Sequence, residues 1–217
     1  MARRCGCPIA LSLMLILALM PVSKARAHPH AFIDIKVTAV FNAAGELSAL
    51  KQLWLFDPAY TAFALFDLRG ASADEQQRAL DEIMGQNLSE LAAFDYFTEV
   101  SQGDRPIGIG EAVKGQTMLI NQQIQMQFTV PVTGGAAGLP MTYKVFDPTY
   151  YIQMRHSLDG DAIVIEGLDD HCHHELIEPT PTTEQILFAA SIPPQVTAPE
   201  GLGRLFTETV TITCDEV

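Results

Sequence analysis

The sequence predicts an α+β domain of mostly antiparallel strands, with one long helix and one or two short helices, after a cleaved signal peptide. Two observations predict this class. Apolar and polar residues alternate through several extended runs separated by turn residues, and one stretch carries apolar residues at three- and four-residue intervals. With 217 residues, 48% hydrophobic and 18% charged, the composition is that of an ordinary globular protein. Residues 28–217 are therefore predicted to form a single domain.

The first 27 residues have the features of a secretory signal peptide. Arg3 and Arg4 precede an apolar run over 9–20, and the small-x-small triplet at 25–27 predicts cleavage before His28. The apolar run covers 12 residues, whereas a membrane-spanning helix needs about 20. We therefore expect a periplasmic protein with no membrane anchor of its own.

The charge balance excludes one class of partner. Acidic residues outnumber basic residues by 26 to 13. Cleavage removes four of the basic residues and no acidic residue, which leaves nine against 26 and a formal charge of −17. Because a nucleic-acid backbone carries the same sign of charge, nucleic acid is not expected as a partner.

The domain is predicted to open with a β-hairpin. Apolar residues occupy every second position over 32–41, which predicts a half-buried strand, and 47–56 resumes an extended, strongly apolar pattern. The residues at 42–45 have the chemistry of a turn and would join the two strands.

Two helices are predicted to follow the hairpin. Asp57 and Pro58 supply an N-cap and a first helical residue, so 60–68 suits a short helix. Ser72 and Glu75 have the spacing of a capping box, ahead of an apolar stripe that predicts a long helix over 73–93. The stripe consists of Leu80, Ile83, Met84, Leu88 and Leu91.

The rest of the chain is predicted to consist mainly of short strands. The clearest extended run is 117–130, where apolar residues alternate with polar ones, and the glycine-rich stretch 134–138 is typical of a loop. Turn residues then divide the chain into predicted strands at 141–146, 150–156, 162–166 and 172–177, a short helix at 184–190 and a last strand at 206–214.

Two cysteines remain after cleavage, Cys172 and Cys214. In an exported protein a single pair is more often a disulfide than two free thiols. On the chain-entropy model, closing a loop of this length stabilises the fold by roughly 4 kcal/mol.

Five of the six histidines fall into two short clusters. In the first cluster, His28 and His30 are two residues apart, so on a strand they share one face with Cα atoms at most about 6.6 Å apart. Asp34 lies on the same face but about 13 Å further along, which makes it a poor third ligand.

The second cluster contains His171, His173 and His174 among several carboxylates. A ligand set of imidazole nitrogen and carboxylate oxygen suits zinc, nickel or cobalt, whereas a Cys172 thiolate would favour zinc or copper(I). A disulfide between Cys172 and Cys214 would remove the thiolate as a ligand. The alternative interpretation is that such segments are solvated turns that bind metal adventitiously.

The sequence does not contain a familiar catalytic signature. The hydrolase motif Gly-x-Ser-x-Gly, the zinc motif His-Glu-x-x-His and the nucleotide-binding Walker A motif are all missing from it. We therefore expect a protein that is not an enzyme. Asp57 and Asp147 are interpreted as caps of a helix or turn rather than as ligands.

The opening Ala-His-Pro-His-Ala-Phe-Ile-Asp at 27–34, followed by Trp54-Leu55-Phe56-Asp57 with Tyr60, resembles the bacterial family known as domain of unknown function 1007. The resemblance implies a periplasmic component of the kind labelled as an ABC-type transport protein and associated with permeases for nickel, cobalt or other metals. It draws attention to His28, His30, Asp34, Trp54, Asp57 and Tyr60. The repeated Phe-Asp-Pro-x-Tyr element adds Asp147 and Tyr150.

The leading hypothesis is that the protein is an accessory of a transition-metal transport system. It would bind zinc, nickel or cobalt through His28 and His30 and exchange the ion with a membrane permease or ABC-type transporter. A metal-free module that docks on a permease is one alternative. Another is a copper site that uses the free amine and ring of a mature N-terminal His28. Because Pro29 has no amide proton, that site would need a further imidazole.

Overall fold

The computed structural model describes residues 29–193 and 195–215. The predicted signal peptide and His28 lie outside the described residues. Within them, three α-helices pack with a curled, mixed β-sheet, which confirms the α+β class. None of the described helices is long and apolar enough to cross a membrane.

The sheet contains eleven strands in the described part of the chain. Their order is β10-β11-β7-β3-β4-β6-β2-β1-β8, with β5 paired to β6 and β9 paired to β1. The strands are β1 (Ala31–Phe41), β2 (Glu46–Phe56), β3 (Thr98–Gln102), β4 (Arg105–Ile109), β5 (Val113–Ile120), β6 (Gln123–Ala137), β7 (Met141–Val145), β8 (Ile152–His156), β9 (Ile163–Glu166), β10 (Cys172–Ile177) and β11 (Thr209–Cys214).

The first two strands form the predicted antiparallel hairpin. Alternate residues of β1, including Ile33, Ile35 and Val37, are buried. Asn42 fixes the turn, because its side-chain oxygen accepts hydrogen bonds from the backbone N–H groups of Ala44 and Glu46. The outer edge of β1 pairs in parallel with β8 and β9, which makes the sheet mixed.

One predicted strand is wrong: residues 117–130 form a hairpin of β5 and β6 instead of one continuous strand. The turn between them contains Asn121 and Gln122, both with positive φ. The apolar residues keep even-numbered positions through the turn, so the sequence pattern shows no break there. The pairing of Ile120 with Gln123 nevertheless places Ile120 and Ile124 on opposite faces of the sheet, where Ile124 is buried and Ile120 is exposed. The predicted loop at 134–138 also differs, because β6 continues to Ala137.

The three helices are α1 (Pro58–Ala64), α2 (Ala73–Leu91) and α3 (Thr183–Ser191). The capping box of Ser72 and Glu75 starts α2 as predicted. Leu80, Met84 and Leu88 of α2 are buried in the main core. Thr182 starts α3 with a second capping box.

A second, smaller apolar cluster lies near α3. It contains Tyr150, Ala189, Ile192, Ala198 and Leu202, with Phe206 packed against it. The segment after α3 is therefore part of the fold even though it contains little regular structure.

Candidate functional site

Two Asp-Pro turns fix the starts of two neighbouring strands. Asp57 caps α1 by accepting from the N–H groups of Ala59 and Tyr60, and its other oxygen accepts from the N–H of Phe32 at 2.9 Å. This geometry agrees with the interpretation of Asp57 as a cap.

Asp147 repeats the arrangement in the second turn. One carboxylate oxygen accepts from the backbone and hydroxyl of Thr149, both at 2.8 Å, and the other accepts from the N–H of Ile152 at 2.9 Å. Phe32 is in β1 and Ile152 is in β8, so the repeated sequence element anchors two adjacent parallel strands. Both carboxylates accept hydrogen bonds from backbone N–H groups of a turn and of a strand start.

Replacing Asp57 with alanine is expected to lower the free energy of unfolding by about 2 kcal/mol, since it removes a helix cap and a charged acceptor at the start of β1. Urea denaturation would measure this. Asp57→Asn, which keeps an acceptor for the cap, should lose less. The exposed Asp34→Ala should change stability by less than about 0.5 kcal/mol. Equal losses for Asp57→Ala and Asp34→Ala would contradict the capping role.

Several residues singled out by the family resemblance meet at the start of β1 and β8. The backbone N–H of His30 donates to the carbonyl of Tyr151 at 2.8 Å, and the two rings stack with centroids 4.5 Å apart. Burial raises the pKa of Tyr60, and the nearby Tyr151 and Asp57 raise it further. We call His30, Asp57, Tyr60 and Tyr151 the strand-entry cluster.

An aromatic cavity of about 230 Å³ lies beside this cluster. Trp54, Phe56 and Tyr60 line it, together with residues of α2 and the segment that follows. The Trp54 indole donates to the side-chain oxygen of Gln52 at 2.8 Å, and Gln52 donates to the Thr98 hydroxyl at 2.7 Å. Trp54 is therefore a satisfied core residue that also forms part of a cavity wall.

Two predicted residues have side chains that are not part of the strand-entry cluster. Asp34 is exposed and sits further along β1, in register with Leu55 and Arg155. Tyr150 belongs to the smaller apolar cluster, where its ring stacks on Phe206 at 4.1 Å. Burial raises the pKa of Tyr150.

The second histidine segment is placed by β10, which pairs with β11. Cys172 lies opposite Cys214, and a disulfide joins them. His173 lies opposite Thr213, with its Nε2 atom 3.1 Å from the Thr213 hydroxyl and its Nδ1 atom 3.9 Å from the Asp215 carboxylate.

The three histidines of the second cluster do not all lie on one face. His171 precedes β10. His173 and His174 are adjacent residues of β10, so their side chains lie on opposite faces of the sheet, and His174 is paired with the buried Ile212. Burial lowers the pKa of His174, and repulsion from His156 and His173 lowers it further.

His30 lies apart from the second histidine cluster. His30 contacts Tyr151 just before β8, whereas His174 interacts electrostatically with His156 at the far end of β8. The five residues of β8 span about 16 Å. His30 and His174 therefore cannot bind one ion together.

A buried polar network was missed by the sequence reasoning. Glu208 accepts hydrogen bonds at 2.7 Å from both the backbone N–H and the Nδ1 of His156, and the Nε2 of His156 is 3.1 Å from the Tyr143 hydroxyl. All three side chains are buried. Burial and the charge of Glu208 raise the pKa of Tyr143, which keeps the phenol neutral.

This network joins β7, β8 and the residue before β11, and it lies where the curled sheet brings these strands together. The one sequence signal was that His156 is the histidine outside both clusters. Its partners are 13 and 52 residues away, so local patterns do not reveal them.

The chain is similar to a Haemophilus influenzae protein described as an uncharacterized protein. The two are 29% identical over 198 residues, which cover 87% of this chain and 92% of the relative. No solved structure matches the chain. A family model for proteins of unknown function matches residues 13–214. Because that match spans most of the sequence, the chain belongs to the family described as "Protein of unknown function (DUF1007)".

Proposed function

We propose that this protein is a periplasmic accessory of a transition-metal transport system, which binds zinc, nickel or cobalt through His28 and His30 and exchanges the ion with a membrane permease. The proposal is carried by the anchoring of His30, whose backbone is hydrogen-bonded to Tyr151 and whose ring is stacked on it. An imidazole that is already ordered loses less conformational freedom when it binds an ion.

The charge of the protein supports the same function. Acidic residues exceed basic ones by 26 to 13, which raises the local concentration of cations near the surface. Imidazole ligands then favour zinc, nickel and cobalt over calcium and magnesium, which prefer oxygen ligands. The Cys172–Cys214 disulfide is consistent with an oxidising compartment.

Elemental analysis of the untagged protein, exported with its own leader and purified without chelator, would test this function. We expect about one zinc, nickel or cobalt ion per chain. A His28→Ala, His30→Ala double variant should bind the ion at least about tenfold more weakly. His173→Ala, a change at an exposed histidine of the other cluster, is the matched control.

An unchanged stoichiometry and affinity in the double variant would overturn the proposal. Intact mass measured on the same sample would locate the mature N-terminus. A start before His28 would remove the copper alternative, because that site needs the free amine of His28.

A second candidate function is a metal-free module that docks on a permease. It is favoured by aromatic side chains exposed in and just after α1, where Phe63 is 80% and Phe66 is 56% exposed. Neighbouring exposed aromatic residues are typical of binding surfaces. Co-purification with a permease in the presence of chelator, lost in Phe63→Ser and kept in Leu158→Ser, would support this function. Leu158 is a suitable control because it is 93% exposed in a different turn.

A further inference from the structure

One end of the antiparallel pair β10–β11 brings three metal-binding groups together. A ring nitrogen of His171 and the Sγ atoms of Cys172 and Cys214 all lie within 4.8 Å of one another. A tetrahedral zinc ion needs ligand atoms about 3.6–3.8 Å apart, given its usual bond lengths. Side-chain rotations could therefore bring these three groups onto one ion.

The disulfide makes this group inactive in the oxidised protein. Thiolates bind metals, whereas the sulphurs of a disulfide are poor ligands. We propose that reduction of the Cys172–Cys214 disulfide creates a zinc site made of both thiolates and the His171 imidazole. The site is distinct from the strand-entry cluster and does not rest on His28 or His30.

The chemistry of this step is balanced by an external dithiol reductant. The reductant gives two electrons and two protons to the disulfide and becomes a disulfide itself, leaving Cys172 and Cys214 as two thiols. Zinc then displaces the two thiol protons and bonds to both sulphurs. The His171 nitrogen is the third ligand, and water completes the tetrahedron.

The backbone around the cysteines does not depend on the disulfide alone. Six register pairs join β10 to β11, from Cys172 with Cys214 to Ile177 with Thr209, and β11 also pairs with β7. These contacts hold the two cysteines opposite each other after reduction.

The position of His171 is also fixed by backbone hydrogen bonds. The N–H of Asp215 donates to the carbonyl of His171 at 3.1 Å, and the N–H of Cys172 donates to the carbonyl of Asp169 at 3.0 Å. The three ligands are therefore held on a connected piece of backbone in both redox states.

The ligand set defines the ion that the site would take. Two thiolates with one imidazole suit zinc or copper(I) and disfavour calcium and magnesium. This donor set differs from that of the proposed site at His28 and His30, which contains no sulphur. This second site would thus bind its ion only under reducing conditions.

Cobalt is the probe for the first experiment, because thiolate-to-cobalt charge transfer reports directly on sulphur ligands. The full-length mature protein is reduced, freed of reductant under anaerobic conditions and titrated with Co²⁺. We expect a charge-transfer band that saturates at one ion per chain and disappears when Zn²⁺ is added. The oxidised protein should show no such band.

Variants then identify the ligands. Cys214→Ser should reduce the charge-transfer intensity to about half, since one thiolate remains. His171→Ala should weaken Zn²⁺ binding by the reduced protein about tenfold or more. His173→Ala is the matched control and should leave the Co²⁺ concentration that half-saturates the charge-transfer band unchanged. His30→Ala should also leave it unchanged, because that band reports only on the sulphur ligands, and this separates the inference from the proposed function.

Three results would overturn the inference. They are a reduced protein without the cobalt–thiolate band, equal Zn²⁺ binding by oxidised and reduced protein, and equal effects of His171→Ala and His173→Ala. Fluorescence of the single tryptophan, Trp54, checks the fold, because Trp54 is 2% exposed. Loss of its buried signal on reduction would also reject the site.

Discussion

Replacing Glu208 with alanine is expected to lower the free energy of unfolding by about 3–5 kcal/mol, the usual effect of removing one partner of a buried pair. The change removes the acceptor for two donors of His156, the ring Nδ1 and the backbone N–H, both at 2.7 Å. Because His156 is buried, water cannot replace the lost acceptor. Urea denaturation followed by Trp54 fluorescence measures the loss.

Three variants show whether the loss comes from the buried pair. Glu208→Gln keeps an acceptor oxygen and should lose less. Tyr143→Phe removes one hydroxyl and should cost about 1 kcal/mol. Glu99→Ala makes the same chemical change at the exposed ion pair with Arg204 and should cost less than about 1 kcal/mol. Similar losses for Glu208→Ala and Glu99→Ala would show that the network is not a main source of stability.

Loss of the Cys172–Cys214 disulfide is the second large effect. The bond closes a separation of 42 residues, and removing it is expected to lower the free energy of unfolding by about 4 kcal/mol on the chain-entropy model. Guanidinium denaturation of the oxidised and reduced protein at 25 °C measures the difference. Reductant should have no effect on a Cys172→Ser, Cys214→Ser variant.

The size of this effect is compatible with the proposed thiolate site. Single domains commonly have stabilities of about 5–15 kcal/mol, so a domain in the middle of that range stays folded after losing about 4 kcal/mol. In a His28→Ala, His30→Ala background, which lacks the proposed histidine site, zinc at 100 times its dissociation constant should restore about 2.7 kcal/mol to the reduced protein. An equal gain for the oxidised protein would mean that the ion binds somewhere else.

The parts of the fold that were predicted correctly are those with local signals. The β1–β2 hairpin has alternating residues on both sides of a turn, and α2 has a capping box followed by an apolar stripe. Asp57 is similar, because a capping residue is recognised from its immediate neighbours. In each case the interacting residues are close in sequence.

The missed features depend on contacts between distant residues or on a pattern that hides a boundary. Apolar residues continue at even-numbered positions across the turn at Asn121 and Gln122, so periodicity reveals neither the turn nor the change of buried face that follows it. The network of Tyr143, His156 and Glu208 exists only because the sheet curls.

The geometry of the histidine segments also depends on strand pairing that local sequence patterns do not reveal. The sequence predicts 171–174 as a segment rich in ligands, and in the structure alternation along β10 separates His173 from His174. Whether His171 lies near Cys214 depends on the pairing of β10 with β11, a contact that no local pattern contains.

The parallel pairing of β1 affects the order in which the protein can fold. Ala31 pairs with Ile152 and Val37 pairs with Ile163, so the first strand of the domain is completed by residues more than 100 positions later. The β1–β2 hairpin can form early, but one edge of β1 stays unpaired until the last third of the chain is present. Such non-local pairing slows folding and leaves an exposed strand edge open to intermolecular pairing. A chaperone that covers this edge would therefore protect the protein at its most aggregation-prone stage.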